Sequence, residues 1–148
     1  MKKLLSILAI IAISFQYAFS QDTENKKDSV VAVPDVRAEF KGGDNALSSF
    51  LSSVITYPDV AMNNGAEHKL YVNFIICPDG SVCNIEIRNK KKLDKKEETE
   101  NYKKSVALLE KEAIRIVQET NGKWNAGIKD GEKVNTYFTI PIIFKLRR

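Results

Sequence analysis

The side chains with the widest chemical range in this chain of 148 residues are its two cysteines, Cys77 and Cys83, and its only histidine, His68. The cysteines flank Pro78-Asp79-Gly80. Pro-Asp-Gly favours a three-residue turn with Gly80 in the left-handed region, followed by a bulge. Cys77 then opposes Ser81, Ile76 opposes Val82 and Ile75 opposes Cys83. That register makes the two thiols diagonal neighbours, about 7 Å apart between Cβ atoms. A disulfide needs ~3.8 Å, so a tight twist or the bulge would have to close the gap. A two-residue turn would put the thiols on opposite faces and forbid the bond. Cys77 and Cys83 thus stand as a candidate structural disulfide, and their spacing is not the Cys-x-x-Cys of a redox site. A metal site using His68 would need a ligand from the far end of the strand that carries Cys77, so none is expected. No Ser-His-Asp set, Gly-rich phosphate loop or paired carboxylate on a rigid element is visible. Neither catalysis nor a cofactor is expected.

The elements around these residues are easier to read. Leu70, Val72, Phe74 and Ile76 alternate with Lys69, Tyr71, Asn73 and Ile75, which predicts a strand from about His68 to Cys77. A second strand, from Ser81 to Asn89, carries Val82, Ile85 and Ile87. The step from 82 to 85 breaks the two-residue period and predicts a β-bulge near Cys83-Asn84. Upstream, Ala46, Leu47, Phe50, Leu51 and Val54 follow at helical spacing after Asp44, a predicted N-cap. Thr56-Tyr57-Pro58 stops that helix. A short helix follows from Pro58 to Asn64, with Gly65 as its left-handed terminator. The main helix is expected from Tyr102 to Glu119, burying Val106, Leu109, Ala113, Ile116 and Val117. Trp124, just beyond it, is expected to plug the core over the helix end.

The last strand is expected from Val134 to Leu146. Val134, Phe138, Ile140, Ile142, Phe144 and Leu146 share one face; Asn135, Tyr137, Thr139 and Lys145 share the other. Pro141 lies within it and cannot donate to a ladder, so one side of this strand should be unpaired. The sum is a two-layer α+β domain: a three-stranded antiparallel sheet with helices packed on one face. Asn89 to Glu100, rich in Lys and Glu, reads as a solvated loop.

The ends and the charge bound the rest. Lys2 and Lys3 precede an apolar run from Leu4 to Ile13 that is short for a membrane span, and Ala18-Phe19-Ser20 ends it with small residues. Residues 1–20 are therefore expected to be a cleaved signal peptide, residues 21–38 a flexible tail, and residues 39–148 the domain. The expected location is periplasmic, with an inner-membrane anchor as the alternative if the N-terminus is not cleaved. The net charge of +4, less the two lysines of the signal segment, leaves +2, and no nucleic-acid partner is expected.

The joint order of these pieces resembles the C-terminal domain of TonB, the energy transducer of outer-membrane transport. The pieces are Tyr57-Pro58, the strand from Leu70 to Phe74, Pro78-Asp79-Gly80 with Val82 and Ile85, the helix ending before Trp124, and the closing Ile143-Phe144-Lys145-Leu146. Glu39-Phe40-Lys41-Gly42-Gly43 resembles the versions found in Bacteroidota. The resemblance covers about Glu39 to the C-terminus. It implies a non-catalytic domain that pairs an extended segment of a TonB-dependent outer-membrane receptor, the TonB box, with its last strand. The implied partner-binding residues are Val134, Asn135, Thr136, Tyr137, Phe138, Thr139, Ile140, Pro141, Ile142 and Ile143. A full transducer has an uncleaved membrane helix and a long Pro-rich linker. Here the stretch from Gln21 to Lys41 spans at most about 70 Å at ~3.4 Å per residue, so the chain would act with an anchored component. The alternatives are that the chain is a soluble periplasmic interaction or envelope module with the same fold and no transport role, with another envelope protein as its partner, or that it forms a homodimer through the strand edge.

Overall fold

Strand pairing in the computed structural model is organised around one long central strand, β3 (His68–Ile76). Residues 30–31, 33–88 and 99–146 are described. In chain order the elements are β1 (Val30–Val31), β2 (Glu39–Phe40), α1 (Gly43–Val54), α2 (Asp59–Asn63), β3, β4 (Val82–Arg88), α3 (Glu100–Gln118), β5 (Trp124–Asn125), β6 (Gly127–Lys129) and β7 (Glu132–Phe144). The main sheet runs β1-β7-β3-β4, with β6 also paired to β7; β2 and β5 form a separate two-stranded sheet.

The three long strands form the antiparallel sheet expected from the sequence, and the structure gives their order as β7-β3-β4. The sheet is nevertheless larger than three strands. Its extra members are two or three residues long, too short to show a period of two. The same holds for β2 and β5.

The hairpin register matches the sequence reading. Ile76 faces Val82 and Ile75 faces Cys83, and the Cys77 N–H donates to the Ser81 carbonyl at 2.9 Å. Asn73 then faces Glu86, so β4 carries an extra residue opposite Phe74. Asn84 absorbs it with φ 49°, which is the bulge. The first helix starts two residues earlier than Asp44 suggested: Gly42 is the N-cap and Asp44 lies in the first turn, where its carboxylate favours the positive end of the helix.

The core lies between the sheet and the helices. Leu70, Val72, Phe74 and Ile76 of β3 and Ile140, Ile142 and Phe144 of β7 face Leu109, Ala113, Ile116 and Val117 of α3. Trp124 is 2 % exposed and is ringed by Phe40, Phe74 and Phe138 at centroid distances of 5.3, 5.5 and 4.8 Å. Its Nε1–H donates to Thr120 Oγ1 at 3.0 Å. Tyr57 packs edge-on against Phe144 and donates its hydroxyl proton to the Ala66 carbonyl.

A charged clamp joins the helices. Arg115 donates to both Glu112 carboxylate oxygens at 2.7 Å and to the Val54 carbonyl at the end of α1 at 2.6 Å. Glu112 also accepts the Thr56 N–H at 2.8 Å. The Arg115 hydrogen bond, partly opposed by burial, holds the Glu112 carboxyl below the usual carboxylate range. A carboxyl depressed by folding contributes stability above its unfolded pKa and loses it as the pH falls through the lower folded value. Glu112→Gln is therefore expected to cost about 1–2 kcal/mol at neutral pH in urea unfolding. The gap between variant and wild type should close as the pH is lowered below about 4, the ordinary range for Glu. A gap independent of pH would assign the effect to packing.

Candidate functional strand edge

The geometry of the last strand follows from Pro141. Tyr71 lies opposite Pro141 in the β3–β7 ladder. Pro141 has no N–H, so that pair cannot exchange two hydrogen bonds. Antiparallel pairs alternate between bonded and non-bonded. The even positions, Thr136 to Phe144, therefore bond to β3, while Tyr137, Thr139, Pro141 and Ile143 turn their backbone groups outward. The hairpin gives the same parity independently: Cys77 bonds to β4, so Ile76, next to it, bonds to Thr136 on the other side.

The side chains follow the same alternation. Ile140, Ile142 and Phe144 are buried, and Phe138 packs half-buried against the core. Tyr137 and Ile143 are exposed, at 62 % and 56 %. Thr139 donates its hydroxyl proton across the open face to Asn73 Oδ1 at 2.9 Å. Tyr71 of β3 shares that face and is also exposed. The sheet is thus covered on one side and open on the other.

The expected partner-binding residues fall into two groups. Val134 is paired with Gly127 of β6, through a two-residue turn at Asp130 and Gly131 with φ 50° and 82°; this is the turn form that Asp-Gly favours. Asn135 and Thr136 lie opposite Val30 and Val31 of β1, which pairs in parallel. Beyond them, among the described residues, no strand pairs with the outer edge from Thr139 to Ile143. A groove of about 430 Å³ runs beside this stretch, lined by Ser48, Leu51, Ser52 and Ile55 of α1, Ile116 of α3, and Pro141, Ile142 and Ile143. Its walls are aliphatic side chains broken by two hydroxyls.

The chemically versatile residues do not gather there. Cys77 is buried and Cys83 half-buried, and they are not joined in a disulfide; their register places them diagonally, as the three-residue turn requires. His68 opens β3 opposite Phe144 at the far end of the strand. Among the described residues no group of three His, Cys, Asp or Glu could hold a metal.

Sequence reasoning missed what covers the upper part of the edge. The segment expected as tail, residues 21–38, lies partly outside the described residues. Within it, the Asp35 and Val36 N–H groups donate to the Ile128 carbonyl at 2.9 and 3.1 Å, and Ala38 is buried. The residues 33–38 pack onto the domain and place β1 on its edge.

What the geometry defines is a two-layer α+β domain with a strand edge open to backbone pairing. No family model matches the sequence, and no curated protein matches it. Among solved structures the chain is similar to two NMR solution structures of the Helicobacter pylori TonB-CTD. One, of residues 179–285, has a TM-score of 0.47 at 24% identity, with 69% of this chain and 78% of that one covered. The other, of residues 194–285, has a TM-score of 0.45 at 24% identity, with 70% and 94% covered.

Proposed function

We propose that this is a non-catalytic binding domain that captures an extended peptide as an added strand on the outward edge of β7. The peptide is the TonB box of an outer-membrane receptor, and the setting is energy-coupled transport in the periplasm. The sequence resemblance to TonB C-terminal domains supports the partner class. The observation that carries the mode of binding is the open run from Thr139 to Ile143 beside the α1 groove. Its outward groups are the N–H and C=O of Thr139 and Ile143 and the C=O of Pro141. A pairing peptide would satisfy these groups, and its alternate side chains would lie either in the groove or on the face of Tyr137 and Ile143. Uncovered edges of this kind invite unwanted pairing, so keeping one beside an apolar groove fits a binding role.

The experiment is a titration of a TonB-box peptide into isotope-labelled protein, following backbone amides. Shifts are expected along Tyr137–Phe144. Silence there, with shifts on another surface, rules out the edge. Thr139→Pro removes one of two outward donors while leaving the β3 ladder intact. It is expected to weaken peptide binding by roughly 3- to 10-fold, the worth of one net hydrogen bond, with little change in the unfolding midpoint.

A further inference from the structure

We propose that β1 is an internal competitor for this edge, closing its upper part until a peptide displaces it. The inference rests on the reading of β7 as the binding edge. A parallel ladder joins a residue to the two neighbours of its opposite number. Val31 lies opposite Thr136, so its backbone meets the outward carbonyl of Asn135 and the outward N–H of Tyr137. Those are the groups that would continue the free run of Thr139–Ile143 toward the start of the strand. A peptide pairing along the whole edge must take them from β1.

Three observations make β1 a tethered and weakly held occupant. First, it is delivered by a fixed neighbour. Asp35 and Val36 are bonded to Ile128, and Asp35 also accepts from the Asp130 N–H at 2.9 Å and from Lys129 Nζ at 3.3 Å. A strand tethered so closely competes at high effective concentration. Second, Gly127 makes room for the delivering segment. A Cβ there would lie 3.3 Å from Pro34 Cβ and from the Val36 carbonyl oxygen, and well inside contact with Thr136 Oγ1. Third, β1 is only two residues long. In the same arrangement Asn135 is 5 % exposed, and its Oδ1 has no hydrogen-bond partner among the described residues. A buried, unsatisfied acceptor opposes the closed state. The upper part of the edge is therefore covered, as an isolated strand edge should be, by a cover light enough to leave.

The test compares the full chain with its Val31→Pro variant, which deletes the N–H that faces Asn135 and leaves β7 untouched. The probe is a synthetic TonB-box peptide, read by fluorescence anisotropy, with hydrogen exchange at the Tyr137 amide as a second measurement. The variant is expected to bind about 3- to 10-fold more tightly, as when the competent fraction rises from a tenth or a third to nearly all. Its Tyr137 amide should exchange faster in the absence of peptide. Equal or weaker binding by the variant overturns the competition and leaves the edge reading standing. Absence of binding to both proteins, with no response on β7, overturns the edge reading and the competition together. Unchanged exchange at Tyr137 means that β1 does not hold the edge, and also overturns the proposal.

Discussion

Trp124→Ala is expected to destabilise the domain by about 3–5 kcal/mol, the cost of truncating a buried Trp to Ala, measured by urea denaturation. The side chain is 2 % exposed and is in contact with aromatic rings from three different elements: Phe40 of β2, Phe74 of β3 and Phe138 of β7. Its backbone pairs with Phe40 in the small second sheet. Removing the indole leaves a cavity that these rings cannot jointly fill, because two of them are held in the main ladder. The Thr120 hydroxyl also loses the indole N–H, although it still donates to the Val117 carbonyl. Trp124→Phe keeps most of the volume and is expected to recover more than half of the loss. A cost for Trp124→Ala below about 1.5 kcal/mol, the lower end for full burial of an apolar side chain, would show that the ring cluster is not a unit.

What was legible in the sequence is what local physics dictates. The alternation from Leu70 to Ile76 and the Pro-Asp-Gly turn specify register, and the step from Val82 to Ile85 marks the bulge at Asn84 because a period of two cannot absorb an extra residue otherwise. Pro141 announced an outward-facing position because it lacks a donor. What was not legible depends on partners far along the chain. Ser29 to Val33 could be read as a short extended piece broken by Pro34, but the pairing of β1 with β7, like that of the two-residue β2 with β5, exists only in the fold. β6 had a signal in Asp130-Gly131, but its Gly127 start reads as loop and is explained only by the backbone that passes over it. The clamp of Arg115 on the Val54 carbonyl spans 61 residues and looks, on the helix alone, like an ordinary pair with Glu112 three positions away. The candidate edge was therefore visible in outline, while its division into an open stretch and a covered stretch was not.

Gly80 carries the second large effect, and its cause is only half conformational. Its φ of 83° already disfavours any residue with a Cβ, by roughly 1–2 kcal/mol. The hairpin tip also presses against β5: a Cβ at Gly80 would fall inside contact with the Trp124 carbonyl oxygen and 3.4 Å from its carbon. That neighbour is backbone, fixed by the Phe40 pairing and by the buried indole, and it cannot swing aside. The Gly80 carbonyl meanwhile accepts the Gly122 N–H at 3.1 Å, so retreat of the turn breaks a second tie. Gly80→Ala is expected to cost about 2–4 kcal/mol, adding backbone strain to displacement of a packed neighbour. Gly65 provides the control. It has φ 63° with nothing within 4 Å of its Cβ position, so Gly65→Ala should show the conformational part alone, about 1 kcal/mol. Urea unfolding of the two variants side by side separates the terms. Equal losses would mean that the hairpin tip yields freely and does not brace Trp124. A Gly80→Ala loss at least twice that of Gly65→Ala would mean that the turn is held against the tryptophan backbone, so that one contact couples the hairpin, the end of α3 and the strand pair that seats the core.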